Sequence, residues 1–271
     1  MSELRAPVDL SPIGAAGLSG LERGEIHLWY VRVGSVVEEE LLRRYRSLLS
    51  ATEQLRQEKF AFHKDRHRDL VTRALVRTRL SYYQALPPGQ WAFVSSKYGR
   101  PEIAPRVGVP PLRFNVSHSG DLVVCGVALS SDIGVDVECV CRPVYTEKIV
   151  RRHFSIGEAE DVLSQSPERK RERFFEYWTL KEAYAKALGL GLAIPLSLVR
   201  FRLGESGVSL SFDHRLHDCA SHWSFWLLRL IPDYVIAIAA ACPSNSTVRV
   251  RPCVPLVAEF LGRQGCEDSA G

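Results

Sequence analysis

Three carboxylates and one amine in this chain have types and spacings that could serve a single anionic substrate. Asp136 and Glu138 lie two residues apart in Ile133-Gly134-Val135-Asp136-Val137-Glu138, and side chains at i and i+2 of a strand point to the same face. At a rise of about 3.3 Å per residue, their Cβ atoms would stand roughly 6.5–7 Å apart, a separation that one cation can bridge. Trp178, Glu182 and Lys186 fall at successive i+4 positions of WTLKEAYAK, 178–186, and so line one stripe of a helix. Hard divalent cations take oxygen ligands, and phosphate oxygens are neutralised by a cation and an amine. Brought together, the two segments would form a metal-and-phosphate site. Taken singly, each has an ordinary structural meaning. One is an acidic strand end facing water; the other is a Glu–Lys helix pair worth only about 0.2–0.5 kcal/mol.

A third segment, FNVSHSG at 114–120, sets polar donors and a histidine just past an apolar strand. A loop there can present backbone N–H groups to an anion. Other chemistries find little support. His214-x-x-His217 lacks the acidic helical setting of a zinc site. No G-x-G-x-x-G or G-x-x-x-x-G-K-[ST] loop follows a strand, and Ser117 is not part of a G-x-S-x-G elbow.

The elements that must carry these residues follow from periodicity. A strand is predicted over 25–33 and helices over 38–49, 52–60 and 65–85, the last stopped by Pro87-Pro88-Gly89. Strands follow at 91–95, 112–116, 122–129 and 133–138. Helices come next at about 146–154, 156–164 and 169–188, ended by Gly189 and Gly191. Strands near 198–203, 208–212, 224–230 and 234–242 complete the pattern. A long helix followed by antiparallel-looking strands thus occurs twice. The predicted fold class is α+β: two pseudo-symmetric halves, each a small antiparallel sheet packed on a long helix, with the active site in the cleft between them. The division reads as a lead-in over 1–24, an N-terminal half over 25–131, a C-terminal half over 132–243 and a peripheral tail over 244–271.

With 271 residues, 46% apolar and 24% charged, the chain has material for a full core. The most apolar stretch, 223–242, is interrupted by Arg229, Pro232 and Asp233, so it reads as two strands around a turn and not as a membrane span. No positive-then-apolar leader is evident. Seven cysteines without a C-x-x-C pair suit the reducing cytoplasm. Cys139 and Cys141, separated by one residue, are read as thiols and suit neither a disulfide nor a zinc knuckle. Net charge is +4, yet 56–79 alone holds eight Lys or Arg against three acids. Such a patch suits an anionic ligand or an acidic partner surface.

In this order and at these spacings, FNVSHSG, IGVDVE and WTLKEAYAK resemble the three signature motifs of the 4′-phosphopantetheinyl transferases. Length and the two halves are similar to the surfactin-synthetase-activating (Sfp-like) type, W/KEA branch, and not to the short trimeric synthases. The resemblance runs from about residue 25 to 242. It implies transfer of the phosphopantetheine arm of coenzyme A onto a serine of an apo acyl or peptidyl carrier protein, with release of 3′,5′-ADP. By matching positions, Asp136, Glu138 and Glu182 would hold Mg²⁺, or Mn²⁺ in its place. Glu182 would be the general base, directly or through a metal-bound water, and Lys186 would stabilise or also protonate the leaving phosphate. Asp136 and His118 join them in the implied catalytic set, His118 at a phosphate of coenzyme A.

Further contacts to coenzyme A are implied for Asn115, Ser117 and the Gly99-Arg100-Pro101 turn. Lys64 falls where the family often has an arginine for the 3′-phosphate, and Arg56 would face the same group. Ser95 and Ser96 stand where some relatives carry a basic residue. A cytoplasmic monomer is expected, with no nucleic-acid or membrane partner. Segment 56–79, with the helices between 146 and 173, would meet the acidic carrier. Whether that carrier serves fatty acid, polyketide or nonribosomal peptide assembly stays open. Two other readings are a binding module for coenzyme A without transfer, and an unrelated Mg²⁺-dependent phosphohydrolase.

Overall fold

The helix predicted over 65–85 begins two residues earlier, at His63, and ends at Tyr83. Its C-terminal part is buried nearly all round, through Leu70, Val71, Ala74, Leu75, Leu80 and Tyr83. Such a helix needs cover on both sides. In the computed structural model, residues 8–9, 21–106, 108–143, 145, 147–204 and 207–257 are described. The first half runs β1 (Val8–Asp9), β2 (Glu25–Arg32), α1 (Glu39–Ser47), α2 (Ala51–Glu58), α3 (His63–Tyr83), β3 (Phe93–Ser95), β4 (Pro101–Ile103), β5 (Leu112–Ser119) and β6 (Leu122–Leu129). The second runs β7 (Ile133–Cys139), α4 (Glu147–His153), α5 (Ile156–Ser164), α6 (Pro167–Leu188), β8 (Val199–Gly204), β9 (Gly207–Phe212), β10 (Ser224–Leu228), β11 (Tyr234–Ala240) and β12 (Thr247–Pro252). Among the described residues no helix is long and apolar enough to cross a membrane.

The fold is α+β, in four layers. Helices α1 and α3 cover the outer face of a five-stranded sheet ordered β1-β12-β2-β6-β5, and α6 covers a three-stranded sheet ordered β10-β11-β7. Between the sheets lies a third apolar cluster, with Ile26, Leu28 and Val124 facing Val135, Val137 and Ile236. Strand alternation explains this split: Ile133, Val135 and Val137 enter the cluster, which leaves Gly134, Asp136 and Glu138 facing α6.

Strands β5 and β7 are the edges of their sheets, and edge strands expose unpaired N–H groups. Here they are stitched by side chains. Asn115 Oδ1 accepts from Val135 N at 2.9 Å, and Ser119 Oγ accepts from Cys139 N at 3.0 Å. Residues 115, 117 and 119 therefore point at β7, whereas Phe114 and Val116 pack toward α3. This corrects the expectation that Ser117, His118 and Ser119 form a loop: β5 continues through Ser119, and Gly120-Asp121 alone make the turn.

The tail is also corrected. Thr247–Pro252 is not peripheral but strand β12, inserted between β1 and β2 and parallel to both. Val248 and Val250 enter the core between the sheets, and Tyr45 Oη donates to Pro255 O at 2.7 Å. The expected lead-in, apart from 8–9 and 21–24, and the last part of the tail, 258–271, lie outside the described residues. Cys139 and Cys141, read as thiols, are joined as a disulfide with Cα atoms 5.3 Å apart. The chain turns as it leaves β7, where Arg142 N donates to Cys139 O, and so brings the two sulfurs together.

Candidate functional site

The site is built on the closest approach between a strand and a helix. A Cβ placed on Gly134 would stand 2.0 Å from Ala183 O and 2.4 Å from Ala187 N. Only a residue without a side chain lets α6 lie directly on β7. That contact lays the Glu182–Lys186 stretch of α6 along the same face of β7 that carries Asp136. Ser50–Glu53 and Ser155–Glu158 capping boxes fix α2 and α5, and Gly189, at φ +68°, ends α6 just beyond Lys186.

Lys186 Nζ donates to Asp136 Oδ1 at 2.6 Å and to Ser117 Oγ at 2.8 Å, and Ser117 Oγ donates to the same carboxylate oxygen at 2.8 Å. Asp136 is 5% exposed, yet its second oxygen, Oδ2, is buried without a partner. Buried polar atoms are rarely left this way. Glu182 lies one helical turn before Lys186, half-buried. Burial, then the negative charge of Asp136, pushes its pKa up to about 7, against the pull of Lys186.

Glu138 Oε2 accepts from Ser119 Oγ at 2.8 Å and from Arg142 Nη1 at 2.7 Å. Burial and Asp136 raise its pKa. Among the described residues no three such side chains already stand together as a metal site, although Asp136, Glu138 and Glu182 lie close enough to raise one another's pKa. The donor set still fits a hard divalent cation. Mg²⁺ is commonly held by one or two carboxylates, with water and phosphate completing its shell. Asp136 Oδ2, open and buried, and Glu182, ready to lose a proton, supply two.

Other expected residues fall into two groups. His118 lies on the α3 side of β5, exposed, where partial desolvation and then the Arg68 charge lower its pKa. A cavity of about 740 Å³ opens nearby, lined by Lys64, Arg66, His67, Arg68, Gly120 and Asp121 among others. Arg56 sits on the exposed side of α2. Asn115 and Arg100 both make contacts within the protein. The Asn115 carboxamide is buried in the β5–β7 seam, and its oxygen is engaged by Val135 N. Arg100 turns its guanidinium to backbone carbonyls of Ile133, Lys186 and Ala187. Gly99, at φ +82°, and Pro101 form an exposed turn. Trp178 stacks on Phe174, centroids 6.0 Å apart, and belongs to the core of this half.

The basic segment is less basic at the surface than its composition implies. Arg73 pairs with Glu53 and Asp69, Arg77 is buried against Glu53, and Arg79 lies over the Trp29 ring at 4.8 Å. Inward-facing arginines on an amphipathic helix cannot be told from outward ones by counting. Sequence reasoning also passed over Gly134, Ser119, Arg142 and Arg68. For Arg68 the signal was its place four residues after Lys64 on the same helix face.

A carboxylate poised near neutrality, an ammonium and an open carboxylate oxygen on one seam are the equipment of an enzyme acting on an anionic substrate. The profile of the 4′-phosphopantetheinyl transferase superfamily matches residues 132–239, and that of the 4′-phosphopantetheinyl transferase N-terminal region matches 37–130. The chain is 34% identical over 220 residues to the 4′-phosphopantetheinyl transferase HetI of Nostoc sp., spanning 80% of this chain and 88% of that protein. It is 32% identical over 201 residues to the 4′-phosphopantetheinyl transferase Sfp of Bacillus subtilis, spanning 74% and 85%. Among solved structures, the holo-[acyl-carrier-protein] synthase of Thermotoga maritima aligns with a TM-score of 0.34 and 25% identity, over 41% of this chain and 63% of that one. The chain belongs to the 4′-phosphopantetheinyl transferase superfamily and is a transferase.

Proposed function

We propose that this protein moves the 4′-phosphopantetheine arm of coenzyme A onto a serine of an apo acyl or peptidyl carrier protein, with Mg²⁺, releasing 3′,5′-ADP. The observation that carries the reading is the Lys186–Ser117–Asp136 cluster with Glu182 beside it. The carrier serine Oγ attacks the phosphorus that bears pantetheine. The P–O bond to the nucleotide breaks, its electron pair leaves on 3′,5′-ADP, and the serine proton passes to Glu182. Lys186, fixed by Asp136 and Ser117, presents its ammonium where charge gathers on the departing phosphate.

Asp136 Oδ2 and Glu182 would hold the divalent ion, which when bound supplies Lewis-acid stabilisation of the phosphate oxygens. Glu138, on the same face of β7 as Asp136, would be the third carboxylate of that set. The cationic cavity beside His118, with Lys64 and Arg68, suits the nucleotide phosphates, and the exposed Gly99–Pro101 turn suits the adenine. Arg56, Lys59 and Lys64, exposed around Phe62, suit an acidic carrier surface in a salt-sensitive encounter. We take the boundary near 131 as the division between nucleotide-side and metal-side halves of a cytoplasmic monomer.

Incubation with coenzyme A, Mg²⁺ and a panel of apo acyl and peptidyl carriers should add one phosphopantetheine mass to a carrier serine, with equimolar 3′,5′-ADP. No mass gain on any carrier while coenzyme A binds would favour a binding module. Cleavage of coenzyme A without a carrier would favour a hydrolase. Ser117→Ala removes one hydroxyl from the lysine–carboxylate cluster. It should lower turnover about tenfold and melting temperature by only a few degrees, since a hydrogen bond of this kind contributes about 1–1.5 kcal/mol.

A further inference from the structure

Arg100 belongs to the turn between β3 and β4 in the N-terminal half, yet its guanidinium lies against the C-terminal end of α6. Nη1 donates to Lys186 O at 2.9 Å and to Ala187 O at 2.6 Å, and Nη2 donates to Ile133 O at 3.1 Å. The stem runs beside the helix cap: a Cβ on Gly189 would stand 3.5 Å from Arg100 Cδ. The turn itself is held by Ser96 N donating to Arg100 O at 2.8 Å and Arg100 N donating to Ser96 Oγ at 3.1 Å. One side chain thus reaches the two elements that make the site. It meets the carbonyl of Lys186 itself, and the first residue of β7, three before Asp136.

The physics favours this arrangement. The last carbonyls of a helix lack partners within it, and a cation there also meets the negative end of the helix dipole. A planar guanidinium can serve acceptors on two elements at fixed angles, which a lysine ammonium on a flexible stem cannot. Gly134 sets how closely α6 approaches β7. Arg100 ties the end of one element to the start of the other.

We propose that Arg100 is a positioning residue for the transfer reaction. By clamping the Lys186–Ala187 end of α6 to the start of β7, it holds the Lys186 ammonium on Asp136 and couples the 96–101 turn of the N-terminal half to that helix. The proposal rests on the transferase reading and replaces the nucleotide contact expected of this arginine.

The test compares wild type, Arg100→Ala and Arg100→Lys by steady-state kinetics and by amide hydrogen exchange of the free protein. For Arg100→Ala, kcat should fall on the order of 10²-fold while KM for coenzyme A stays within about twofold, because a misplaced group and not a lost substrate contact is responsible. Exchange at residues 185–190 should quicken by about tenfold or more, with α3 unchanged, as the helix end frays. Added guanidinium should restore part of the lost kcat. Arg100→Lys should recover only part of it, since the fork is lost. If Arg100→Ala does not fold, Arg100→Lys carries the same readings. A rise of about tenfold in KM for coenzyme A with kcat unchanged would make Arg100 a substrate contact and overturn the proposal. Unaltered exchange at 185–190 would overturn it too. A wild type that transfers nothing would overturn the transferase reading instead, while the exchange measurement still tests the clamp.

Discussion

Glu182→Gln should abolish most transfer and at the same time stabilise the free protein at pH 8. The two effects have one cause. Folding raises the Glu182 pKa from 4.5 to about 7, chiefly by burial and then by the charge of Asp136. A carboxyl raised in this way binds its proton more tightly in the folded state. Its penalty is absent below pH 4.5, grows as pH rises toward 7, and is complete above that. At 1.36 kcal/mol per pKa unit, the ionised group costs the fold on the order of 3 kcal/mol at pH 8. Glutamine keeps the shape and lifts that cost, so urea midpoints should rise for the variant at pH 8 and converge with wild type at pH 4. Turnover should drop by about 10²–10⁴-fold, the usual share of a general base. A variant that is fully active, or destabilised equally at both pH values, would remove Glu182 from the site as described. The same logic makes metal binding pH-dependent: loading near pH 7 should release protons, since the ligand must ionise.

Gly134→Ala should be among the most damaging single-methyl changes in the chain. The added carbon would sit 2.0 Å from a carbonyl oxygen and 2.4 Å from an amide nitrogen, both backbone atoms of α6. No rotamer change can relieve that contact, so strand and helix must part. Overpacking of this kind costs about 3 kcal/mol or more where backbone must move. Separating β7 from α6 also pulls Lys186 from Asp136, and an ångström of misplacement can cost about 10²-fold in rate. Gly157→Ala is the control: nothing lies within 4 Å of its would-be Cβ at the start of α5, so stability should be unchanged or gain up to about 1 kcal/mol. Chemical denaturation of both variants, with turnover measured alongside, distinguishes a specific strand–helix clash from a general intolerance of alanine.

Local patterns were legible because local physics produces them. The 3.6-residue periodicity located α3 and α6 to within a few residues, and two-residue alternation put Asp136 and Glu138 on one face of β7. What escaped depends on contacts distant in sequence. Strand β12 alternates clearly in Thr247-Val248-Arg249-Val250-Arg251, but its place between β1 and β2 rests on pairing with residues more than two hundred positions away. The extension of β5 through Ser119 was hidden because its polar residues read as a loop. They are polar in order to stitch one sheet edge to another. Glu138 shares a strand face with Asp136 as expected, but its hydrogen bonds from Ser119 and Arg142 depend on the turn after β7 and on the neighbouring strand edge. Arg100 illustrates the same limit: its charge was legible, whereas the carbonyls that receive it are assembled only by the fold.

The most direct measurement is electron paramagnetic resonance of Mn²⁺ bound in place of Mg²⁺, in the presence of coenzyme A. A cation held by Asp136 Oδ2 and Glu182 beside the substrate phosphates should appear as one Mn²⁺ per chain with phosphorus coupling. Affinity should fall by about tenfold or more in each of Asp136→Asn, Glu138→Gln and Glu182→Gln. Mn²⁺ that binds all four proteins equally, or shows no coupling to phosphorus, would contradict a site divided between β7 and α6.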